Sequence, residues 1–445
     1  MRHPYHIVAL AGPEDEFQRS FEDADTVIVP FDIPGDPNRI EDSTPDVFAA
    51  HGLHPPPLAR DLLRLAIAAY VADMRVGRNA AFDGWTRDFV LHVFVSDPTL
   101  WNGLGATVTT LLRFLTGDRW DVEFRATPGT HVAAVGKKPK HVHQLTAKTV
   151  SLFSGGLDSY IGAIDALEDY GSLLLVGHEG GGGGATSWSQ DQALEALRTT
   201  YDEIRAPFLQ FWIAPPKIAD GVSETTTRGR SLLFAGLGIA VATAVNGERL
   251  VVPENGMISL NVPLTSARLG SFSTRTTHPY YVALLGEIVR GLALGVDLVL
   301  PYRFQTKGEM VRGCRNVGAL AHGVASTMSC SHPDSNRFHA KNPHLHCGRC
   351  IPCLIRRAAL RAAGADPTPY HQTDLGAPIG GKSEADLRAL RIALERYRRR
   401  PPRIGDLLAA GPLPGSDGER LAYLEVFRRG VTEVDALLKA YPEAK

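Results

Sequence analysis

Residues 149–159 of the chain are Thr-Val-Ser-Leu-Phe-Ser-Gly-Gly-Leu-Asp-Ser, and this stretch decides the expected fold. Four of its first five residues are β-branched or apolar and predict a buried strand, and a helical pattern follows over residues 160–167. The two glycines between them let the backbone approach an anion closely, while the helix start offers free N–H groups. The stretch therefore predicts a phosphate-binding loop. Its expected binding residues are Ser154, Gly155, Gly156, Leu157, Asp158 and Ser159.

Asp158 is an unusual residue in a phosphate-binding loop, because its carboxylate repels anions unless a cation lies between them. Carboxylates and phosphates are the ligands on which Mg²⁺ usually depends. We therefore expect Mg²⁺ between Asp158 and the phosphates, and a catalytic role for this carboxylate. The alternative interpretation of the stretch is a tight strand-to-helix turn without a ligand.

Composition limits the class of protein. The 445 residues predict two or three domains, and the net charge of −1 gives no general basic field for a nucleic acid, which makes a nucleic-acid partner an unfavoured hypothesis. The sequence contains no stretch with the length and apolarity of a membrane span, and its first residues lack the apolar core of a signal peptide. We expect a cytoplasmic protein without a membrane partner.

The order of the predicted elements indicates an α/β fold. Strands and helices alternate after residue 149, which is typical of a parallel sheet flanked by helices. The predicted units are an N-terminal α/β or α+β recognition or assembly domain (1–125), a linker (126–148), the parallel-sheet domain (149–365) and a helical C-terminal extension (366–445).

Two cationic side chains follow predicted strands of this domain and are candidate catalytic residues. Arg230 opens an apolar helix, where a cation is unfavourable unless an anion is present, so it is a candidate phosphate ligand. Lys307 precedes a short helix and is a second candidate for phosphate contact. The alternative for Arg230 is an ordinary surface arginine.

Three further side chains are candidate substrate ligands. Glu254 and Asn255 follow the strand predicted over residues 250–252, where they could bind the amide and amine edges of a purine-like molecule. Arg275 lies in a polar loop and could bind a carboxylate. An Asn-Gly turn without ligand contact is an equally good interpretation of residues 253–256.

The cysteines predict a metal site. Three follow a Cys-x2-Cys-x2-Cys pattern, and a fourth lies upstream with sixteen residues in between. Cys330, Cys347, Cys350 and Cys353 could therefore complete a closed tetrahedral Zn²⁺ site of structural type. An iron–sulfur centre is the chemical alternative, and His332 or His346 could replace one cysteine. Cys314 is expected to be an ordinary buried thiol.

The loop at residues 154–159 resembles the Ser-Gly-Gly-x-Asp-Ser signature of the PP-loop ATP pyrophosphatases. Together with the four cysteines, over residues 148–360, it resembles the QueC family of 7-cyano-7-deazaguanine (preQ0) synthases. The resemblance implies that the loop binds ATP and Mg²⁺ and that the cysteines bind Zn²⁺. The phosphate contact that the position of Lys307 predicts would then be a contact with phosphate or with an acyl adenylate. Members of the family adenylate the carboxylate of 7-carboxy-7-deazaguanine, form an amide with ammonia, and dehydrate the amide to a nitrile after a second adenylation.

The added N- and C-terminal regions, the Pro-Glu-Asn-Gly loop at residues 253–256 and the longer cysteine loop depart from an ordinary QueC sequence. This combination resembles the QueC-like proteins of bacterial anti-phage operons, such as the Qat system and some CBASS operons. That branch implies that an amine of a partner protein from the same operon attacks the acyl adenylate. A preQ0 synthase with accessory domains, a tRNA-thiolating enzyme and a nucleotide-binding scaffold are the alternatives.

Overall fold

The computed structural model of the protein describes residues 4–12, 14–17, 25–31, 40–129, 145–179, 184–215, 224, 228–263, 275–332, 345–377 and 382–442. Most of the predicted linker, residues 130–144, lies outside these ranges. The strands of the described part are β1 (Tyr5–Leu10), β2 (Thr26–Pro30), β3 (Glu41–Asp42), β4 (Asp88–Val95), β5 (Arg119–Ala126), β6 (Thr149–Leu152), β7 (Leu174–Glu179), β8 (Phe208–Ala214), β9 (Arg249–Val251) and β10 (Asp297–Val299).

The described α-helices are α1 (Thr44–Ala50), α2 (Pro57–Arg75), α3 (Pro98–Thr116), α4 (Leu157–Tyr170), α5 (Ala185–Arg198), α6 (Arg230–Ala244), α7 (Gly256–Ser259), α8 (Pro279–Gly291), α9 (Lys307–Gly313), α10 (Val317–Gly323), α11 (Ile351–Ala362), α12 (Lys382–Arg399), α13 (Ile404–Leu408) and α14 (Asp417–Lys439). In this part of the chain, none of the helices combines the length and the apolarity that crossing a bilayer requires.

Two sheets organise the described residues. The first is fully parallel, in the order β2-β1-β4-β5, and the second has the order β10-β9-β6-β7-β8-β3, parallel except for β3. In the second sheet, β6 lies between β7 and β9, so the chain leaves β6 toward one side and later returns to the other. Such a reversal opens a crevice beyond the carboxyl ends of the two central strands, where α/β proteins bind ligands.

The α/β class predicted from the sequence is confirmed, with a parallel sheet flanked by helices and a helical C-terminal region. The predicted strand at residues 149–153 is β6, and all four of its residues are buried, as expected for a central parallel strand. The predicted helix at 160–167 is α4, which begins earlier, at Leu157. The strand β5 went unpredicted. The domain boundaries stay a prediction.

The helix α6 joins the two sheets through one continuous core. It is apolar on nearly every side, because it packs on β6 and β7 with one face and on α2 with the other. At Gly236 a Cβ atom would lie 3.3 Å from Ala66 Cβ, so a glycine allows the two helices to approach closely. Buried residues of both sheets therefore belong to a single apolar cluster.

Candidate active site

The loop between β6 and α4 forms the floor of the site. Gly155 has a φ of +77°, and a Cβ atom on it would lie 2.7 Å from the backbone of Ser189 and Gln190. The hydroxyl of Ser159 accepts a hydrogen bond from the Ser154 N–H (3.2 Å) and donates one to the Gly156 carbonyl (2.9 Å). The loop is thus held in a fixed curve at the start of α4, with its serines clustered around the turn.

Replacing Gly155 with alanine is expected to destabilise the fold and to reduce nucleotide binding. The left-handed backbone costs a residue with a Cβ about 1–2 kcal/mol, and the clash with α5 adds roughly 1–3 kcal/mol of overpacking. Gly171→Ala is the matched control, because Gly171 has the same φ of +77° and a Cβ there would meet no atom within 4 Å. Equilibrium urea unfolding of both variants measures the difference, and equal losses would contradict the packing argument.

Asp158 lies at the centre of a buried network of charged and polar groups. Lys307 Nζ is 2.6 Å from Asp158 Oδ1, and both side chains are less than a tenth exposed. The Nδ2 of Asn255 donates to Asp158 Oδ2 at 2.7 Å. Burial favours the neutral acid, but the Lys307 ammonium and the hydrogen bonds outweigh it and lower the pKa of Asp158. The Asp158 carboxyl is therefore ionised in the site.

Glu254 is a second carboxyl beside this pair and borders the cavity. Its burial and the neighbouring Asp158 carboxylate raise its pKa well above the ordinary value. Two carboxyls thus face one lysine, with the charge concentrated on Asp158. A divalent cation suits such a pair of carboxyls, since it would allow both to ionise.

Arg230, the first residue of α6, is a partly buried cation that faces the cavity. Its guanidinium donates to the carbonyl oxygen of His178 at 3.1 Å, and its Nε lies 3.4 Å from His178 Nδ1. Burial and the nearby guanidinium lower the pKa of His178 to about 3, so the imidazole is neutral. Among the described residues no carboxylate pairs with Arg230, so an anion in the cavity would supply its missing counter-charge.

These groups border an open cavity of about 500 Å³ beyond the carboxyl ends of β6 and β9. That volume lies within the range of small-molecule sites. Ser154, Gly156, Asp158, Arg230 and Lys307 form its polar side. Apolar residues of several elements form the rest of the wall, among them Phe234 of α6 and Leu285 of α8. The cavity therefore offers both charged groups and apolar surface to a ligand.

The four predicted cysteines lie together beside the cavity. Their sulfur atoms are all within 4.8 Å of one another, and all four residues are buried. The Sγ atoms of Cys330 and Cys350 are 3.9 Å apart, and so are those of Cys347 and Cys353. Four thiolates at about 2.3 Å around a tetrahedral ion are separated by about 3.8 Å. The cluster therefore has the spacing for one tetrahedral ion and could hold Zn²⁺.

The cluster is linked to the loop between β6 and α4 through the backbone. Met328, two residues before Cys330, donates its N–H to the Gly155 carbonyl at 2.9 Å. Cys330 itself borders the cavity. A metal ion that fixes Cys330 would therefore also restrain the wall of the cavity and the loop below it.

The chain is similar to a 7-cyano-7-deazaguanine synthase. That protein, from Cupriavidus necator, is 26% identical in an alignment of 242 residues. The alignment covers 51% of this chain and 98% of the relative. No family model matches the chain. The similarity supports the QueC-like resemblance seen in the two motifs.

Of the three predicted substrate ligands, only Glu254 borders the cavity in the described part of the chain. Asn255 uses both ends of its side chain within the protein: Nδ2 binds Asp158, and Oδ1 accepts the Ile258 N–H at 3.0 Å. Arg275 donates to the Phe114 carbonyl at 2.7 Å and stacks on that ring, and it is absent from the cavity lining in the described residues. Their predicted contact with substrate stays a prediction, and these partners give both residues a structural role.

The sequence left open that a histidine, His332 or His346, replaces one cysteine in the metal site. His346 Nε2 accepts the Ser329 N–H at 3.0 Å, so in this structure the ring orients the segment before Cys330. The group of possible metal ligands in the described part of the chain consists of the four cysteines alone. Cys314 is buried away from them, as expected of an ordinary thiol.

Several residues of the site were missed from the sequence. Ser189 and Tyr281 border the cavity from α5 and α8, and neither belongs to a recognisable motif. The start of α5 offered a weak signal, since it follows a predicted strand of the same sheet and therefore lies at the same edge.

Proposed function

We propose that this protein is an ATP-dependent, QueC-like enzyme that activates the carboxylate of a 7-deazaguanine and transfers the acyl group to an amine. A carboxylate oxygen attacks the α-phosphorus of ATP, and pyrophosphate leaves. The amine nitrogen then attacks the acyl carbon of the adenylate, and AMP leaves as the amide forms. The observation that carries the proposal is the phosphate-binding loop, with Asp158, Lys307 and Arg230 around one cavity, in a chain similar to a 7-cyano-7-deazaguanine synthase.

The side chains divide this work by charge. The loop N–H groups and the hydroxyls of Ser154 and Ser159 suit phosphate oxygens, and Arg230 and Lys307 offset the negative charge that develops as pyrophosphate departs. Asp158, with Glu254 beside it, would hold Mg²⁺, which neutralises phosphate charge when bound. The apolar part of the cavity wall suits a flat heterocycle.

We further propose that the acceptor amine belongs to a partner protein and that the reaction serves anti-phage defence, as in the QueC-like proteins of Qat operons. This part rests on the resemblance and on the half of the chain that the similarity to the synthase leaves uncovered. A second candidate is a preQ0 synthase that uses ammonia and makes the free nitrile. Its support is the relative itself, whose length is covered almost completely.

The test is pyrophosphate release from ATP and Mg²⁺ with 7-carboxy-7-deazaguanine, followed by intact mass analysis of proteins that co-purify with the chain. Pyrophosphate together with a partner mass raised by one acyl group supports transfer to a protein. Pyrophosphate with free preQ0, and an unchanged partner, supports the nitrile synthase instead. Absence of pyrophosphate in every mixture contradicts both and leaves a nucleotide-binding scaffold.

Arg230→Ala is expected to weaken ATP binding by about tenfold or more, because hydrogen bonds to a charged group contribute about 1.5–3 kcal/mol. Titration calorimetry with a non-hydrolysable ATP analogue and Mg²⁺ measures the change. Arg198→Ala is the control, since Arg198, the last residue of α5, forms an exposed ion pair with Glu203. Equal affinities for wild type and Arg230→Ala would remove this residue from the nucleotide site.

A further inference from the structure

We propose that Glu433, in the C-terminal helix α14, is a positioning residue that holds Lys307 against Asp158. For the catalytic role of Lys307 this inference rests on the proposed function. The contact itself lies outside the cavity and joins the C-terminal region, 126 positions later in the sequence, to the residue that faces the phosphate-binding loop.

The Glu433 carboxylate binds the residues on both sides of Lys307, a side-chain hydroxyl on one side and a backbone N–H on the other. Its Oε1 accepts the Thr306 hydroxyl at 2.7 Å, and its Oε2 accepts the Gly308 N–H at 3.3 Å. Arg312, one turn further along α9, lies 3.4 Å from Oε1, and the Glu433 side chain is only 13% exposed. The residue before Lys307 and the residue after it are thus fixed by one carboxylate.

Gly308 lies in close contact with the Glu433 carboxylate. A Cβ atom at this position would lie 2.3 Å from Glu433 Oε1 and within 2.8 Å of the rest of the carboxylate. A side chain there would have to displace the glutamate. The glycine that follows Lys307 therefore makes room for Glu433.

A second contact from the same face of α14 supports the first. Arg429, four residues before Glu433, pairs with Glu309 at 2.6 Å and donates to the Phe304 carbonyl at 2.8 Å. Residues 429 and 433 therefore clamp α9 from its start to its first turn.

The same helix also supports the loop that carries Asn255. A Cβ on Gly430 would lie 2.2 Å from Met257 Sδ, and Val426 lies 3.2 Å from the Cβ position of Gly256. Through these approaches α14 packs on the starts of α7 and α9, from which Asn255 and Lys307 reach Asp158. The C-terminal region thus acts as a support for the charged centre of the site.

The consequence for catalysis follows from the length of the lysine side chain. Lys307 Nζ sits 2.6 Å from Asp158 only while its backbone stays in place, because a long lysine side chain has many accessible rotamers. A displacement of about 1 Å at a catalytic group can lower a rate by about a hundredfold. Loss of the Glu433 contact should therefore reduce turnover more than ATP binding.

The test compares four variants of the full chain: Glu433→Ala, Gly308→Ala, the double variant and Asp435→Asn. Asp435 is the control, because it lies on α14 and forms ion pairs with Arg398 and Lys439 without contact to α9. Two readouts are taken well below the unfolding midpoint of each variant. One is kcat and KM for ATP in pyrophosphate release with 7-carboxy-7-deazaguanine, and the other is the acetylation rate of Lys307 by acetic anhydride, with exposed Lys148 as internal reference.

Glu433→Ala and Gly308→Ala are each expected to lower kcat by about tenfold to a hundredfold with little change in KM, and to raise Lys307 acetylation severalfold. The double variant should be no worse than the more affected single variant, because both changes break one contact. Asp435→Asn should match wild type in both readouts.

A purely structural role for Glu433 would lower the unfolding midpoint and leave kcat and Lys307 acetylation unchanged, which would overturn the proposal. Multiplicative losses in the double variant would overturn it as well. If wild type releases no pyrophosphate, the proposed function fails, and the acetylation rates alone then support or overturn the positioning role.

Discussion

Lys307→Met is expected to lower pyrophosphate release by about a hundredfold or more, since removal of a single electrostatic group from an active site commonly costs about 10²–10³ in rate. The methionine keeps much of the length of the side chain and loses the ammonium that lies 2.6 Å from Asp158. Steady-state pyrophosphate release with 7-carboxy-7-deazaguanine measures the effect. Lys148→Met is the matched control, because Lys148 forms an exposed ion pair with Glu248.

The same substitution should also destabilise the fold. Removing one partner of a buried ion pair leaves the other charge without compensation, at a cost of about 3–5 kcal/mol. The double variant Asp158→Asn/Lys307→Met should recover most of that stability and none of the activity. Activity of Lys307→Met near the wild-type level would show that the lysine only neutralises Asp158.

Cys350→Ser is expected to cause the largest loss of stability, together with loss of the bound metal. Cys350 is completely buried, and its sulfur lies 3.9 Å from that of Cys330, so a tetrahedral ion would lose one of its four thiolates. Structural Zn²⁺ sites contribute about 10–16 kcal/mol of binding free energy in small peptides, and much of that is coupled to folding. Elemental analysis of the purified protein and thermal unfolding measure the two effects.

Cys314→Ser is the control for this experiment, since Cys314 is a buried thiol outside the cluster. Its metal content should equal that of wild type. Wild type should carry one metal ion per chain, and zinc rather than iron in the elemental analysis would decide between the two chemistries. Equal metal content in Cys350→Ser and wild type would contradict a four-cysteine site.

The parts of the site that the sequence predicted are those with a local signature. The loop at residues 154–159 combines glycines, hydroxyls and a carboxylate within six positions, and the cysteine spacing is specific to metal binding. Lys307 and Glu254 followed from a rule of the fold, since side chains after parallel strands meet at one edge of the sheet. Both border the cavity.

What the sequence could not predict is where a polar side chain finds its partner. Arg275 and Arg230 have the same chemistry and similar positions before helices, yet one binds the Phe114 carbonyl and the other faces the cavity. The partner of Arg275 belongs to α3, which is distant in sequence, so the residues around the arginine do not indicate it. Glu433 is a similar case, because nothing near it in the chain indicates that it accepts from Thr306.

The strand β5 was missed for a different reason. Its residues Trp120, Val122 and Phe124 alternate with charged residues, which is the pattern of a half-buried strand. This signal was present and would have placed a fourth strand in the first sheet. The two-residue strand β3 is too short to carry any period and becomes visible only through its pairing with β8.

The close packing of α2 on α6 bears on how the protein can be divided for study. The aligned relative accounts for about half of this chain, yet the buried faces of α6 and α8 are covered by helices α2 and α3 from the N-terminal region. A fragment that begins at β6 would lack α2 and α3, would expose those apolar faces to water and should aggregate when expressed alone. The smallest autonomous folding unit should therefore include helices of the N-terminal region as well as the sheet around β6.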